Sequence, residues 1–371
     1  MASRRFSARW QKLSFFLPAL SDGGAERVWV TFASGLAARG ANVELVVSGP
    51  ESKYVEELHA SVALVRLPAA RLSLLPLKLA AHYRSTRPDV ILTTMVTANL
   101  VAGAAAQLGS PRSKLIMREA ASPRAPSFSW REALTPVARQ LSYPMADAII
   151  APCQEVAKQL TEVLPLKSAA KIHVIPNPIA VDTIIQMSTE AGPWPFPQHT
   201  PVIVACGRLD PTKGFDILLR ALAMVLKKRP VHLAILGEGS ERAALIRLSE
   251  ELGIAQNVSL LGFVKNPFHY FARAQVFVLS SRSEGFPNVL LQAMACGSQV
   301  VAADCPTGPR EIILDPTHGL LVPPENVYAL SEAVLQQLAA PPRNPAAVAR
   351  SRDFDVHLGV DAMERLLQNL R

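Results

Sequence analysis

The stretch Ser281–Gly297, SRSEGFPNVLLQAMACG, decides the fold. It follows VFVLS, a run dense in β-branched and aromatic residues that reads as a buried strand. A tight loop containing Glu284, Gly285, Pro287 and Asn288 interrupts that strand. Val289–Ala295 then carries the apolar periodicity of a helix. A strand that delivers an acid and a glycine to its C-terminal end, straight before a helix, has the form of the ligand-bearing edge of a parallel α/β sheet.

The same rhythm runs through the chain. LSFFLPAL, VELVVS, VALVRL, DVILTTM, KLIMRE, DAIIAP and IHVIP read as strands of the first half. VIVACG, VHLAILG, VSLLGFV, VFVLSS, QVVAAD and GLLVP read as strands of the second. Helical patterns separate them, such as AERVWVTFASGLAARG, which closes on Gly40. Continuous apolar strands with intervening helices mean parallel sheets covered on both faces. The expected fold is α/β: two Rossmann-like doubly wound domains, residues 1–191 and 202–354, facing across a cleft. The proline-rich GPWPFPQHTP, residues 192–201, is expected to be an exposed linker. Residues 355–371 are expected to form an amphipathic terminal helix that packs back on the first domain. Strand C-termini on both sides make the cleft the expected ligand site.

Composition narrows the class. The 371 residues are 49% hydrophobic and 18% charged, which describes a globular chain and excludes a disordered one. No apolar run approaches the roughly 20 residues of a membrane span. MASRRFSARWQKLSFFLPAL reads as a basic tail and a first strand, not a signal peptide, because its apolar run is short and polar SDGG follows. Cys153, Cys206, Cys296 and Cys305 have no paired or metal-like spacing, in keeping with a reduced, cytoplasmic setting. The net charge of +8 is lopsided: residues 1–190 hold 21 Lys/Arg against 14 Asp/Glu, and the remainder 17 against 16. The basic half is expected to meet an anionic partner, with Arg4, Arg5, Arg9, Arg71, Lys78, Arg84 and Arg87 as contributors to a lipid contact. No nucleic-acid partner is expected, since no recognised motif or aromatic-rich basic strand set accompanies the charge.

Three segments carry chemistry. In GRLDPTKGFDILLRAL, Arg208 and Lys213 lie on a strand-to-helix loop, and Gly214 opens a helix whose amide end attracts anions. An arginine fork and a mobile lysine suit a diphosphate. Glu284 sits at another strand end of the same domain, where it fits either a helix cap or an acceptor of hydrogen bonds from sugar hydroxyls. Together these features point to a nucleotide sugar. In SDGGAERV, Gly23 and Gly24 stand where a dinucleotide fingerprint would lie, but G-x-G-x-x-G is absent, which speaks against a nicotinamide enzyme.

GRLDPTKGFD, LGEGSERAALIRL, LLGFVKNPFHYFARAQVFVLSSRSEGFPNVLLQAMACG and DCPTGPREII, in this order, resemble family 4 of the retaining glycosyltransferases. GGAERV and IPNP extend the resemblance over nearly the whole chain, towards the branch that builds lipopolysaccharide cores, capsules and exopolysaccharides. The resemblance implies a GT-B fold, with the donor bound mainly by the second domain and the acceptor by the first. It implies that Arg208 and Lys213 hold the donor diphosphate, that Glu284 and the loop Gly285, Phe286, Pro287, Asn288 and Val289 hold the donor sugar, and that Gly262, Phe263 and Val264 bracket the base. It implies that Gly23 and Gly24 close over the diphosphate. Where the family often places a histidine on the sugar, this sequence reads MREAAS, so Arg118 or Glu119 stands there. The second acid of the family's E-x7-E motif is replaced by Gln292, which can accept from one ribose hydroxyl and donate to the other.

The implied reaction is retaining transfer of a sugar from a nucleotide-sugar donor, expected to be a UDP-sugar, to a glycan or lipid-linked glycan. No metal or cofactor is expected, because the sole D-x-D, Asp353–Asp355, lies far from any phosphate loop and reads as a helix start. The alternative is a GT-B epimerase or hydrolase acting on the same nucleotide sugar. The expected location is the cytoplasmic face of the inner membrane, as a peripheral protein.

Overall fold

The computed structural model describes residues 6, 10–19, 23–49, 53–68, 71, 73–124 and 133–370. Arg4, Arg5 and Arg9 lie outside the described residues. The chain divides into two compact units, Met1–Ile179 with Asp355–Arg371, and Ala180–Phe354.

In the first unit, strands β1 (Leu13–Leu17), β2 (Val43–Val47), β3 (Ala63–Arg66), β4 (Val90–Thr94), β5 (Lys114–Arg118), β6 (Ala148–Ala151) and β7 (Ile172–Val174) form one sheet in the order β3-β2-β1-β4-β5-β6-β7. Every pairing in it is parallel. The order reverses between β1 and β4, so strand ends open a crevice there. One face of the sheet packs Leu13, Phe15, Leu17, Leu45 and Leu92 against Trp29, Phe32 and Leu36 of helix Gly24–Ala38. The terminal helix Val356–Asn369 adds Val360, Met363 and Leu367 to that core, and Arg39 ties it down through Asp361 at 2.6 Å and Glu364 at 3.1 Å.

In the second unit, β8 (Val202–Cys206), β9 (His232–Leu236), β10 (Val258–Gly262), β11 (Val276–Leu279), β12 (Gln299–Ala303) and β13 (Leu320–Val322) run in the order β10-β9-β8-β11-β12-β13, again all parallel. Both sheets are Rossmann-like. β8 and β11 are neighbours, and this adjacency brings the two loops expected to bind the donor to one edge.

The division differs from the expected one. It falls at Ile179/Ala180, and helix Val181–Ser188 belongs to the second unit because it packs on helices Phe268–Arg273 and Asn288–Ala295. Residues 192–201 are not a free tether either. Trp194 stacks on Tyr270 at 5.9 Å and receives Arg273 over its ring at 4.3 Å, while Phe196 is buried at 7% exposure. The prolines do exclude helix and strand, but the aromatic side chains fasten the segment to the second unit. Among the described residues no helix is long and apolar enough to cross a membrane.

Candidate functional site

The loop after β8 is built to present charge. Asp210 accepts from the Thr212 amide at 3.0 Å and fixes the turn Pro211–Lys213. Gly214 follows in the left-handed conformation, φ +61°, and starts helix Phe215–Leu226. A side chain there would sit 2.2 Å from the Ser280 carbonyl oxygen, so glycine is required by both conformation and space. The closeness sets the helix N-terminus directly beside the end of β11. Arg208 is 77% exposed and touches Asp210 at 3.3 Å, so its guanidinium is available to a ligand. Lys213 is turned inward, and its Nζ donates to Glu284 Oε1 at 2.7 Å.

Glu284 stands on the loop between β11 and helix Asn288–Ala295. Its side chain is 9% exposed, and Ser281 Oγ donates to the same oxygen at 2.6 Å. Thr307 Oγ1 donates to the Glu284 carbonyl from the loop after β12. Phe286 anchors the turn, packing on Phe354 at 5.5 Å. In the following helix Leu290, Leu291, Ala293 and Met294 are buried. Asn288, Val289 and Gln292 remain half-buried and share the other face. The Gln292 carboxamide has no hydrogen-bond partner among the described residues.

Arg282 is the residue that sequence reasoning missed. Its guanidinium grips both carboxylate oxygens of Asp216 at 2.8 Å, bonds Glu325 at 2.9 Å and donates to the Pro211 carbonyl at 2.8 Å. Its own amide donates to the Thr212 carbonyl at 2.8 Å. The loop bearing Lys213 is thereby bound to the loop bearing Glu284. Burial tends to raise the Asp216 carboxyl, but the Arg282 hydrogen bonds outweigh it and hold Asp216 below the usual range. Cys305 lies on the neighbouring loop, and burial pushes its thiol up to about 12, with the Glu284 charge acting in the same direction.

The third loop of this edge, after β9, is fitted equally closely. A side chain at Gly237, φ +139°, would lie 1.9 Å from the Gly207 carbonyl oxygen. Leu209 donates to the Glu238 carbonyl at 2.9 Å and Glu241 to the Leu209 carbonyl at 2.9 Å. Gly262 closes β10 with φ +76°, and Phe263 beyond it is 45% exposed. Phe263 and Val264 help line a concavity of about 560 Å³ with Lys265, Asn266 and Tyr270.

In the first unit, Gly23 caps and Gly24 begins helix Gly24–Ala38, at the C-terminal side of β1. Arg118 ends β5 at 1% exposure, donates to Thr94 at 3.1 Å and to Asn177, and faces Trp29 at 5.7 Å. Burial draws its guanidinium down to about 10, with the Glu119 charge opposing. Glu119 is equally buried, and both its oxygens are engaged. Arg139 at 2.6 Å and Tyr143 at 3.0 Å donate to one; the Ala120 and Ala121 amides donate to the other at 3.1 and 3.3 Å. Both side chains are thus committed to the interior. Asp353 pairs with Arg350, and Asp355 caps helix Val356–Asn369.

Residues 22–183 match the family described as Glycosyltransferase Family 4, and residues 200–340 match Glycosyl transferases group 1. The chain is 29% identical, over 96% of its own length and all of the relative's, to the N-acetylgalactosamine-N,N'-diacetylbacillosaminyl-diphospho-undecaprenol 4-alpha-N-acetylgalactosaminyltransferase of Campylobacter jejuni. It is 27% identical to the lipopolysaccharide core biosynthesis glycosyltransferase LpsE of Rhizobium meliloti, over 86% of each chain. Its fold superposes on Anabaena HepE, solved in complex with UDP and glucose, with a TM-score of 0.79, 22% identity and coverage of 97% and 100%. With both halves matched and two Rossmann-like sheets in place, the chain belongs to the group 1 and family 4 glycosyltransferases, and its fold is GT-B.

Proposed function

We propose that this glycosyltransferase transfers a sugar from a UDP-sugar, with retention and without a metal, to a lipid-linked glycan in cell-surface polysaccharide synthesis. The observation that carries the reading is the meeting of Lys213 and Glu284 at the N-terminus of helix Phe215–Leu226, with Arg208 exposed beside them. A cationic pair at a helix N-terminus suits a diphosphate, and a hydrogen-bonded carboxylate next to it suits sugar hydroxyls. Gln292 faces the same side as Asn288 and Val289 and is suited to the ribose diol. Gly285, Phe286 and Pro287 form the turn over the sugar, and Gly262, Phe263 and Val264 flank the base. The undecaprenol-linked substrate of the Campylobacter relative supports the acceptor class, the Rhizobium relative supports cell-surface polysaccharide synthesis, and the HepE complex supports UDP.

In this reading Arg208, Lys213 and the helix amides stabilise the charge that develops on the departing nucleoside diphosphate. The acceptor hydroxyl attacks from the face that the diphosphate leaves and passes its proton to a phosphate oxygen. Gly23 and Gly24 are assigned to the donor; Arg118, buried against Thr94 and Asn177, is assigned no ligand contact. The protein acts as a peripheral enzyme on the cytoplasmic face of the inner membrane. The test begins with a thermal-shift screen of nucleotide sugars, where a ligand at 100 times its Kd adds about 2.7 kcal/mol of stability. Anomeric configuration of the product by NMR and turnover in EDTA follow. An inverted product or loss of turnover in EDTA overturns the mechanism; donor consumption that ignores every acceptor indicates the hydrolase or epimerase.

A further inference from the structure

The helix Thr135–Ser142 in the first unit is inside-out. Its one charged side chain, Arg139, is buried at 5% exposure against Glu119. Its outward side carries Leu134 at 55%, Val137 at 57% and Leu141 at 55% exposure, spaced i, i+3, i+7 on one stripe. Ala133, Pro136, Gln140 and Pro144, also exposed, add no charge. A second apolar stripe, Leu74 at 50% and Leu77 at 59%, continues through Ala81 to exposed Arg84 on helix Leu75–Thr86. Both helices pack against helix Val96–Gly109. That helix meets Met117 of β5 at Gly103, whereas Ile116 belongs to the core on the opposite face of the sheet. The two stripes therefore lie on the same side of the unit, away from the terminal helix.

Around the second stripe the charge is almost all of one sign. Residues 71–112 contain Arg71, Lys78, Arg84, Arg87 and Arg112 against a single acid, Asp89, whose carboxylate is occupied by the Gln11 and Lys12 amides. Arg84 reaches the carbonyl of exposed Leu108 at 3.0 Å, which sets a cation beside apolar surface.

We propose that this side of the first unit lies on an anionic lipid surface. Leu134, Val137 and Leu141, with Leu74 and Leu77, enter the headgroup–acyl boundary, and Lys78 and Arg84 meet the headgroups. Apolar side chains flanked by cations fit an interface of that chemistry. A second copy of this chain is disfavoured, because a two-fold contact would set the basic flank against itself. The inference deepens the reading of a lipid-linked acceptor, for it places the unit that receives the acceptor against the layer that holds it.

The experiment is co-sedimentation of the full chain, without donor, on phosphatidylglycerol/phosphatidylcholine vesicles and on phosphatidylcholine alone, across a salt series. Wild type should bind the mixed vesicles and release as salt rises. V137D/L141D should lower the partition coefficient by about tenfold or more. K78E/R84E should weaken binding and flatten the salt dependence. All four positions are partly or fully exposed, so unchanged thermal melts are expected and show that the fold persists. Wild-type partitioning by V137D/L141D, or equal binding to neutral vesicles, overturns the proposal. So does a concentration-dependent dimer of the wild type that V137D/L141D dissolves while vesicle binding stays intact. Since no donor is present, each result stands whatever becomes of the transferase reading.

Discussion

The Lys213–Glu284 pair permits a prediction in which binding and turnover move in opposite directions. Without a ligand, Lys213 Nζ is spent on Glu284 at 2.7 Å, and the side chains are 19% and 9% exposed. A hydrogen bond to a charged group in such a setting is worth about 1.5–3 kcal/mol. A diphosphate must compete with that partner for the ammonium, which has three donors to share. Glu284→Gln keeps the shape and leaves a carbonyl to accept from Lys213 and Ser281, at roughly half the strength of the charged bond. About 1 kcal/mol is thereby released to the incoming anion, and the repulsion between Glu284 and the phosphates disappears as well. Glu284→Gln should therefore bind UDP roughly fivefold more tightly than wild type. Its kcat should nonetheless fall by about 10²-fold or more, because in the proposed reading the charged acceptor that orients the sugar is gone. Lys213→Ala should weaken UDP and cut turnover by roughly 10²–10³-fold. Calorimetry with UDP alone separates the first effect from the second, which steady-state kinetics measure. Should Glu284→Gln bind UDP no more tightly than wild type, the pair does not gate the phosphate site. Should Lys213→Ala turn over near the wild-type rate, Lys213 is not on the diphosphate at all.

Gln292→Leu should raise the donor KM more than it lowers kcat, since a ribose contact persists unchanged through the reaction; a collapse of kcat with KM intact would refute the ribose role. Gln292→Glu should be mild, with a gain of up to about 1 kcal/mol in donor binding, read by the same kinetics. Gly214→Ala should cost about 2 kcal/mol or more, from its left-handed backbone and the 2.2 Å approach to the Ser280 oxygen; an unchanged denaturation midpoint contradicts that packing. Asp216 is held below its ordinary pKa, so the Arg282 clamp contributes stability above about pH 4 and loses it as pH falls through the depressed value. The stability gap between wild type and Asp216→Asn should accordingly close in acid, and a gap that persists there shows the clamp is not ionic.

Each sheet strand corresponds to a run legible in the sequence, and the reason is physical. Strands covered on both faces are almost wholly apolar, so VIVAC or VFVL announces itself without reference to its neighbours. The candidate residues inherit that legibility: Lys213, Glu284 and Gln292 each follow from the strand or helix next to them. Their mutual distances were not legible, because they depend on β8 lying against β11, a matter of strand order and not of pattern. Arg282 shows the same limit. Its partner Asp216 opens a helix 66 positions earlier, and nothing local marks the two as a pair.

The segment around Glu119 shows how an inward partner can reverse a surface. A single arginine in a short helix is ordinarily its solvent-facing residue. Here Glu119 is buried at 1% exposure, and a carboxylate removed from water requires donors. Arg139 and Tyr143 supply them, and burial together with the Glu119 charge raises the Tyr143 hydroxyl well above its ordinary value, so it remains a donor. Turning Arg139 inward rotates Val137 and Leu141 outward, since residues on a helix keep fixed angular offsets. The exposed apolar stripe is thus the geometric counterpart of a buried ion pair. Glu119→Gln should weaken the hold on Arg139, and if the stripe owes its orientation to that pair, vesicle binding should weaken along with it. Vesicle binding that survives Glu119→Gln undiminished would mean that packing against helix Val96–Gly109 alone orients the stripe.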